Sequence, residues 1–265
     1  MCEGDPDNPA FDDAFYKVAA FRETFAYPLY IVTKILRKRA LSTDLGAVVS
    51  SRSKRITSIV TKLSRQPAMK LTTMQDLGGC RAILSSIGQV NRLVKDFRVN
   101  IAPRLNEPVE IFDYISRPKA DGYRGVHYVV RYHPKRRKLN GFPSRRIEIQ
   151  LRSKLQHEWA MAVETVDLFT SQTLKLGGGN PKWQRFFLLA SKLFGVKEGF
   201  YSIEDDSEWM KELRNLWYGL GVPSLIMQWF QAMDSSIPDP PSEDAMYLIR
   251  VDVENMTTMV KTIFF

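Results

Sequence analysis

The sequence predicts an α/β fold, a mixed sheet of about five strands with helices packed around it. Three observations carry that expectation. The composition is ordinary for a globular chain, 44% hydrophobic and 25% charged over 265 residues, which excludes wholesale disorder. Apolar residues recur at three- and four-residue steps in several long segments. Between those segments lie short apolar or alternating runs, some bounded by glycine or polar clusters.

Taken in order, residues 11–22 and 28–41 predict helices, and Pro28 suits a first helical turn. Residues 57–63 predict a third helix, stopped before Pro67. Residues 80–84 form a short apolar strand after Gly78-Gly79, and residues 90–97 read as helical. Residues 111–115, 126–132 and 146–152 predict strands. Ser153 and Gln156 fit a capping box that opens a helix reaching residue 169. After the break at 177–179, helices are expected over 183–194, 207–220 and 223–233. The expected organisation is a main domain over 1–234 with a helical subregion 153–233, then a Pro-rich linker over 235–244. Residues 245–265 would make a β-hairpin too short to bury its own core. Such a hairpin must dock on the main domain, pair with another chain, or open a further domain.

Several classes are excluded. No run of about 18 apolar residues exists, so no transmembrane helix and no membrane partner are expected. Glu3, Asp5, Asp7, Asp12 and Asp13 precede the first base, Lys17, which is unlike a secretory signal. Cys2 and Cys80 are the only cysteines, too few for a disulfide framework or a Cys-based zinc site. A reducing cytoplasm is the expected compartment.

The net charge of +9 is local. Residues 31–70 hold ten bases against the single acid Asp44, and residues 131–146 hold seven bases and no acid. Residues 200–244 reverse the balance, with nine acids against Lys211 and Arg214. This asymmetry points to a polyanionic ligand on the basic part, or to a solvated surface with an acidic counterpart in the same chain.

Three segments carry candidate chemistry. In the strand over 146–152, Ile147, Ile149 and Leu151 share one face, while Arg146, Glu148, Gln150 and Arg152 share the other. An acid between bases suits a metal-bound phosphate; the alternative is an edge strand with a solvated polar face. In Asp76-Leu77-Gly78-Gly79-Cys80-Arg81, the glycines allow close approach, and Asp76 with Glu148 could supply two carboxylates to one Mg²⁺. An Asp before a Gly turn is also an ordinary turn residue. The loop from Tyr114 to His127 holds Arg117, Lys119, Tyr123 and Arg124, so an aromatic could stack on a base while cations meet phosphates.

In this order the three segments resemble the synthetase domain of the RelA/SpoT family. The likeness continues through Leu155-Gln156-His157-Glu158-Trp159-Ala160, and upstream through Arg52-Ser53-Lys54-Arg55 with Lys62. It covers roughly residues 20–194. The pattern is most similar to the toxic small alarmone synthetase branch, and within it to the fused toxin–antitoxin CapRel group. The terminal hairpin resembles the truncated start of that group's C-terminal antitoxin-like domain.

The resemblance implies a nucleotidyltransferase-like fold and an ATP-dependent pyrophosphokinase that moves pyrophosphate to a ribose 3′-hydroxyl and releases AMP. It implies that Asp76 and Glu148 are catalytic and hold Mg²⁺, with Glu148 also able to take the hydroxyl proton. It assigns ATP to Arg52, Lys54, Arg55, Lys62 and Arg81, the last stacking on adenine. It assigns the acceptor to Lys119, Tyr123, Arg124, His127, Gln150, Arg152, His157 and Glu164. The favoured acceptor is the 3′ CCA end of tRNA; the alternative is a free guanine or adenine nucleotide, giving (p)ppGpp or (p)ppApp. An antitoxin-like domain and a phage trigger are the implied protein partners, and DNA is not expected. Gly125 stands where the family often has Ser. His127, His133 and His157 are the only histidines and lie in or beside these motifs, so no hydrolase site can be built. A contrasting possibility is a catalytically dead nucleotide- or RNA-binding module.

Overall fold

The computed structural model describes residues 9–101, 110–132, 144–202 and 208–235. The linker and terminal hairpin expected after residue 235, His133 and the basic run 135–138 lie outside the described residues. The chain divides into two compact units, one of residues 1–113 with 126–152, the other of residues 114–125 with 153–265.

The first unit is the sheet and its helices. Helix α1 spans Pro9–Glu23 and α2 spans Ala26–Thr43. On α2 the buried residues Leu29, Val32, Leu36 and Ala40 follow one another at three- and four-residue steps, which gives the helix one apolar stripe. That stripe packs against β1 (Val48–Ser53) and β2 (Gly78–Leu84). Between these strands lie α3 (Ile56–Arg65) and a 3₁₀ turn over Leu71–Thr73. Helix α4 (Ile87–Asp96) starts at Ser86, whose hydroxyl accepts from the Gln89 N–H. It runs on as a π turn over Phe97–Ile101. Strands β3 (Glu110–Asp113), β4 (Val126–Tyr132) and β5 (Arg145–Ser153) complete a mixed five-stranded sheet in the order β1-β2-β5-β4-β3. The pairs β1/β2, β3/β4 and β4/β5 are antiparallel.

Strand β1 has no counterpart in the sequence pattern. Val48 and Val49 stand side by side and serines follow, so there is no alternation to read. Pairing with β2 makes it a strand. Strand β5 lies in the centre of the sheet, so it is not the solvated edge strand that its polar residues also allowed. Its alternation appears as expected, with Ile147, Ile149 and Leu151 all 1% exposed or less. A Cβ on Gly78 would meet the Ile147 side chain at 3.0 Å and the Phe25 ring at 3.4 Å, so this is the face the helices cover.

Among its described residues the second unit consists of helices and their connections together with the loop 114–125, which the Tyr114 N–H closes on the Gly125 carbonyl at 2.9 Å. Helix α5 (Lys154–Thr170) begins with the complete capping box of Ser153 and Gln156. Helices α6 (Pro181–Lys197), α7 (Glu208–Gly219) and α8 (Val222–Ser235) follow. Their core is aromatic: Trp183 stacks on Phe187 at 5.9 Å, and Phe186 lies against Trp217 at 6.2 Å. The Trp159 indole N–H donates to the Phe187 carbonyl at 2.8 Å, which satisfies its one polar atom inside that core. Among the described residues no helix is long and apolar enough to cross a membrane.

Candidate active site

In the first unit, strand register determines which side chains meet. Directly opposed residues on neighbouring strands project to the same side. Arg52 faces Gly79 and Ser50 faces Arg81 across β1 and β2. Gln150 faces His127, Glu148 faces Val129, and Arg146 faces Arg131 across β5 and β4. A Cβ on Gly79 would stand 3.9 Å from Glu148 Oε2, which puts Gly79 and Arg81 on the Glu148 side. One polar sheet face therefore carries Arg52, Arg81, His127, Arg131, Arg146, Glu148, Gln150 and Arg152. The expectation assigned no role to Arg131 or Arg146. Period two in β5 alone puts Arg146 on this face, whereas Arg131 joins it only through the register of β4 against β5.

Asp76 enters from the turn before β2. Lys54 Nζ donates to its Oδ2 at 2.6 Å and Lys62 Nζ to its Oδ1 at 2.9 Å. Lys54 follows β1 and is fixed through its backbone: its N–H bonds the Leu77 carbonyl at 2.8 Å, and its own carbonyl accepts from Arg22 Nε at 2.8 Å. Lys62 comes from the last turn of α3. Burial opposes ionisation of Asp76, but the two lysines outweigh it and hold the carboxyl below the ordinary aspartate range.

Glu148 has a different set of partners. His127 Nδ1 lies 2.9 Å from its Oε1, and Gln150 Nε2 donates to its Oε2 at 2.9 Å. The row continues as Arg152 Nη2 donates to Gln150 Oε1 at 3.0 Å. Burial raises the Glu148 pKa, and so does the nearby charge of Asp76, yet His127 and Gln150 bring it below the ordinary glutamate value. The charge of Asp76 thus acts on Glu148, and both carboxyls are held below their ordinary values. Cys80 lies on the other, helix-covered face of β2 as a buried thiol that burial pushes up to about 12, too high to serve as a nucleophile. Arg52 and Arg55 are exposed, and Arg81 is half-buried within β2.

The remaining expected residues belong to the second unit. Lys119 Nζ sits over the Tyr114 ring at 4.5 Å and the Tyr123 ring at 5.0 Å, a cation–π contact with both. Tyr123 is half-buried and also meets the Trp159 ring edge-on at 6.4 Å. His157 is half-buried on α5, and Glu164, exposed on the same helix, pairs with Lys175. Arg124 differs from the surface cation its sequence context suggests. It is 5% exposed. Its Nε donates to Ser191 Oγ at 3.2 Å and its Nη2 to the Tyr201 hydroxyl at 2.7 Å. Nothing in the local sequence signals this, because the partners lie 67 and 77 residues away.

Residues 51–167 match a family model described as the region found in RelA / SpoT proteins. That region begins in β1 and ends within α5, and it contains every residue of the sheet face described above as well as Lys54, Lys62 and Asp76. Curated relatives are the uncharacterized proteins Rv1366 of Mycobacterium tuberculosis and Mb1401 of Mycobacterium bovis, each 33% identical over 114 residues. The match covers 43% of this chain and 37% of the relatives' length. Among solved structures, the small alarmone synthetase 1 of Bacillus subtilis is 22% identical with a TM-score of 0.56, covering 69% of this chain and 93% of that one. The same enzyme bound to its product pppGpp gives 20% and 0.55, covering 68% and 92%. A GTP pyrophosphokinase family protein from Streptococcus pneumoniae gives 20% and 0.53, covering 69% and 91%. At these identities the structural likeness establishes the fold.

Proposed function

We propose that the chain is an ATP-dependent pyrophosphokinase that transfers pyrophosphate to a ribose 3′-hydroxyl and releases AMP. The observation that carries this reading is a pair of acids, Asp76 held by Lys54 and Lys62 in the turn before β2 and Glu148 held by His127 and Gln150 on the cation-rich sheet face. Phosphoryl chemistry of this kind asks for positioning and charge neutralisation. Arg52, Lys54, Arg55 and Lys62 supply cations for a triphosphate, and Arg81 offers a planar guanidinium for adenine. Glu148, held by His127, is the base for the 3′-hydroxyl.

Magnesium fits the donor set. Among the described residues no group of three or more His, Cys, Asp or Glu forms a closed metal cage. Mg²⁺ in such enzymes takes one or two carboxylates and completes its shell with substrate phosphates and water. Asp76 and Glu148 would hold it, and when bound it neutralises phosphate charge.

For the acceptor we favour the 3′ CCA end of tRNA, which would make the chain a translation-blocking toxin, with a role in phage defence and an antitoxin-like C-terminal domain as the matching control. Helix α2 supports a large polyanion: Lys34, Arg37 and Lys38 are exposed on it, and the helix contains no acid. Asp44, the one acid of the basic segment, is buried and satisfied by Ser85 and Gly46. The acceptor contacts in this reading are Lys119, Tyr123, His127, Gln150, Arg152, His157 and Glu164. A free nucleotide is the second reading, favoured by the pppGpp bound to the similar Bacillus enzyme. Incubation with γ-labelled ATP and either tRNA or GDP/GTP separates the two. Label on tRNA that falls steeply with added salt supports the first; label on free nucleotide alone rejects it.

A further inference from the structure

We propose that Ser191, Gly195 and Tyr201 form a socket that positions Tyr123 for the acceptor, although all three lie outside the RelA/SpoT region. The inference rests on the acceptor role given to Tyr123 above.

The socket is built around the two neighbours of Tyr123. The Ser191 hydroxyl donates to the Gly122 carbonyl and accepts from Arg124 Nε, so one side chain fastens the backbone before Tyr123 and the side chain after it. Gly122 has φ +92°, a conformation that disfavours any side chain, and a Cβ there would lie 3.1 Å from Ser191 and 3.2 Å from the Leu188 backbone. The loop therefore presses directly on α6. Gly195 is one helical turn beyond Ser191. A Cβ on it would stand 2.8 Å from Arg124 Nη2 and 2.7 Å from the Tyr201 ring, so its missing side chain is the space the guanidinium fills.

The end of α6 closes the socket. Gly199 takes φ +81°, the Phe200 N–H bonds the Gly195 carbonyl at 2.8 Å, and the Gly199 N–H bonds the Val196 carbonyl at 2.9 Å. This left-handed cap turns the chain back. It brings the Phe200 and Tyr201 rings to 5.6 Å and 5.1 Å from the Arg124 guanidinium. Glu198 adds a carboxylate whose charge acts on Arg124, and it also accepts from Ser153 and Gln156 at the start of α5. Arg124 is thereby enclosed and acts through Tyr123, as a positioning residue with no surface left for the acceptor. A buried guanidinium held this way immobilises the loop, and a stacking ring loses less freedom on binding when its backbone is already fixed.

The test is a KM comparison in the full chain, with deacylated tRNA and, in parallel, GTP as acceptor. Ser191→Ala should raise the acceptor KM by about tenfold or more, because it removes two buried hydrogen bonds and orphans both partners, the Gly122 carbonyl and Arg124 Nε. The ATP KM should stay at the wild-type value, and Ser191→Thr should restore the acceptor KM. Tyr201→Phe changes a residue 41% exposed, so it folds, and it should shift the acceptor KM in the same direction by a few-fold. If Tyr123→Ala raises the acceptor KM while Ser191→Ala and Tyr201→Phe do not, the socket is wrong and the acceptor reading stands. If Ser191→Ala raises both KM values equally, the effect is general loosening and the socket is again wrong. If Tyr123→Ala leaves the acceptor KM unchanged, the acceptor reading fails and the socket with it.

Discussion

Glu148 on β5 and Glu158 on α5 stand ten positions apart, with side chains 19% and 1% exposed, and their pKa values shift in opposite directions. Glu148, on the sheet face of the first unit, is given hydrogen bonds by His127 and Gln150 and ionises more readily than an ordinary glutamate. Glu158, in the helical unit, is 1% exposed, and neither of its oxygens finds a hydrogen-bond partner among the described residues. Burial pushes its pKa up to about 7, with only Lys154 at 3.9 Å opposing. The contrast teaches that local donors, more than depth, decide whether a carboxylate is charged. The first unit spends its donors on the acids of the proposed phosphate site. The second uses its hydrogen bonds to fix a loop and leaves one acid unserved.

The sharpest way to break the comparison is to remove the charge on the served acid. Glu148→Gln should lower pyrophosphate transfer by about a thousandfold, in the range expected for a lost general base, with the far-ultraviolet circular dichroism unchanged. Comparable transfer by the variant would remove Glu148 from the catalytic role, whereas comparable growth arrest by wild type and variant would favour a binding module.

The unserved acid should answer through stability. The folded pKa of Glu158 is raised, so the favourable state is the protonated one. Its penalty is absent below the unfolded value near 4.5 and grows as pH rises through that value toward about 7. Glu158→Gln should therefore raise Tm at pH 8 by the equivalent of about 2 kcal/mol and leave Tm near pH 4 almost unchanged. An equal gain at both pH values would show that the residue is not a neutral acid in the fold.

Lys62→Met sharpens the comparison on the donor side. It removes one of two cations from Asp76, and the other is fixed by its backbone. The ATP KM should rise about tenfold, the loss of a charge-assisted hydrogen bond. The acceptor KM should hold. The smallest effect belongs to an ion pair in solvent. Arg185 makes two bonds to Glu212 at 2.8 and 2.6 Å, but both side chains are 40% exposed or more. Arg185→Ala should cost less than about 1 kcal/mol in denaturant unfolding, and less again in high salt.

Much of this was legible in the sequence because it is local. The alternation in β5 identified the buried and polar faces, and Ser153 with Gln156 marked the start of α5 to the residue. What could not be read depends on distant partners. Strand β1 exists through its pairing with β2, and Arg124 is buried by residues on α6 and beyond it. The period of β5 already puts Arg146 on the polar face, but Arg131 joins it only through the register of β4 against β5. Period and capping are properties of a few neighbouring residues, whereas burial of a charge is a property of the assembled core.

The most direct test of the central claim is the product balance of the reaction. With ATP labelled on its γ-phosphate and an acceptor bearing a free ribose 3′-hydroxyl, the account predicts one AMP released for each labelled pyrophosphate joined to the acceptor, and loss of both products in Asp76→Asn and Glu148→Gln. Formation of ADP in place of AMP, or transfer that survives both substitutions, would contradict it.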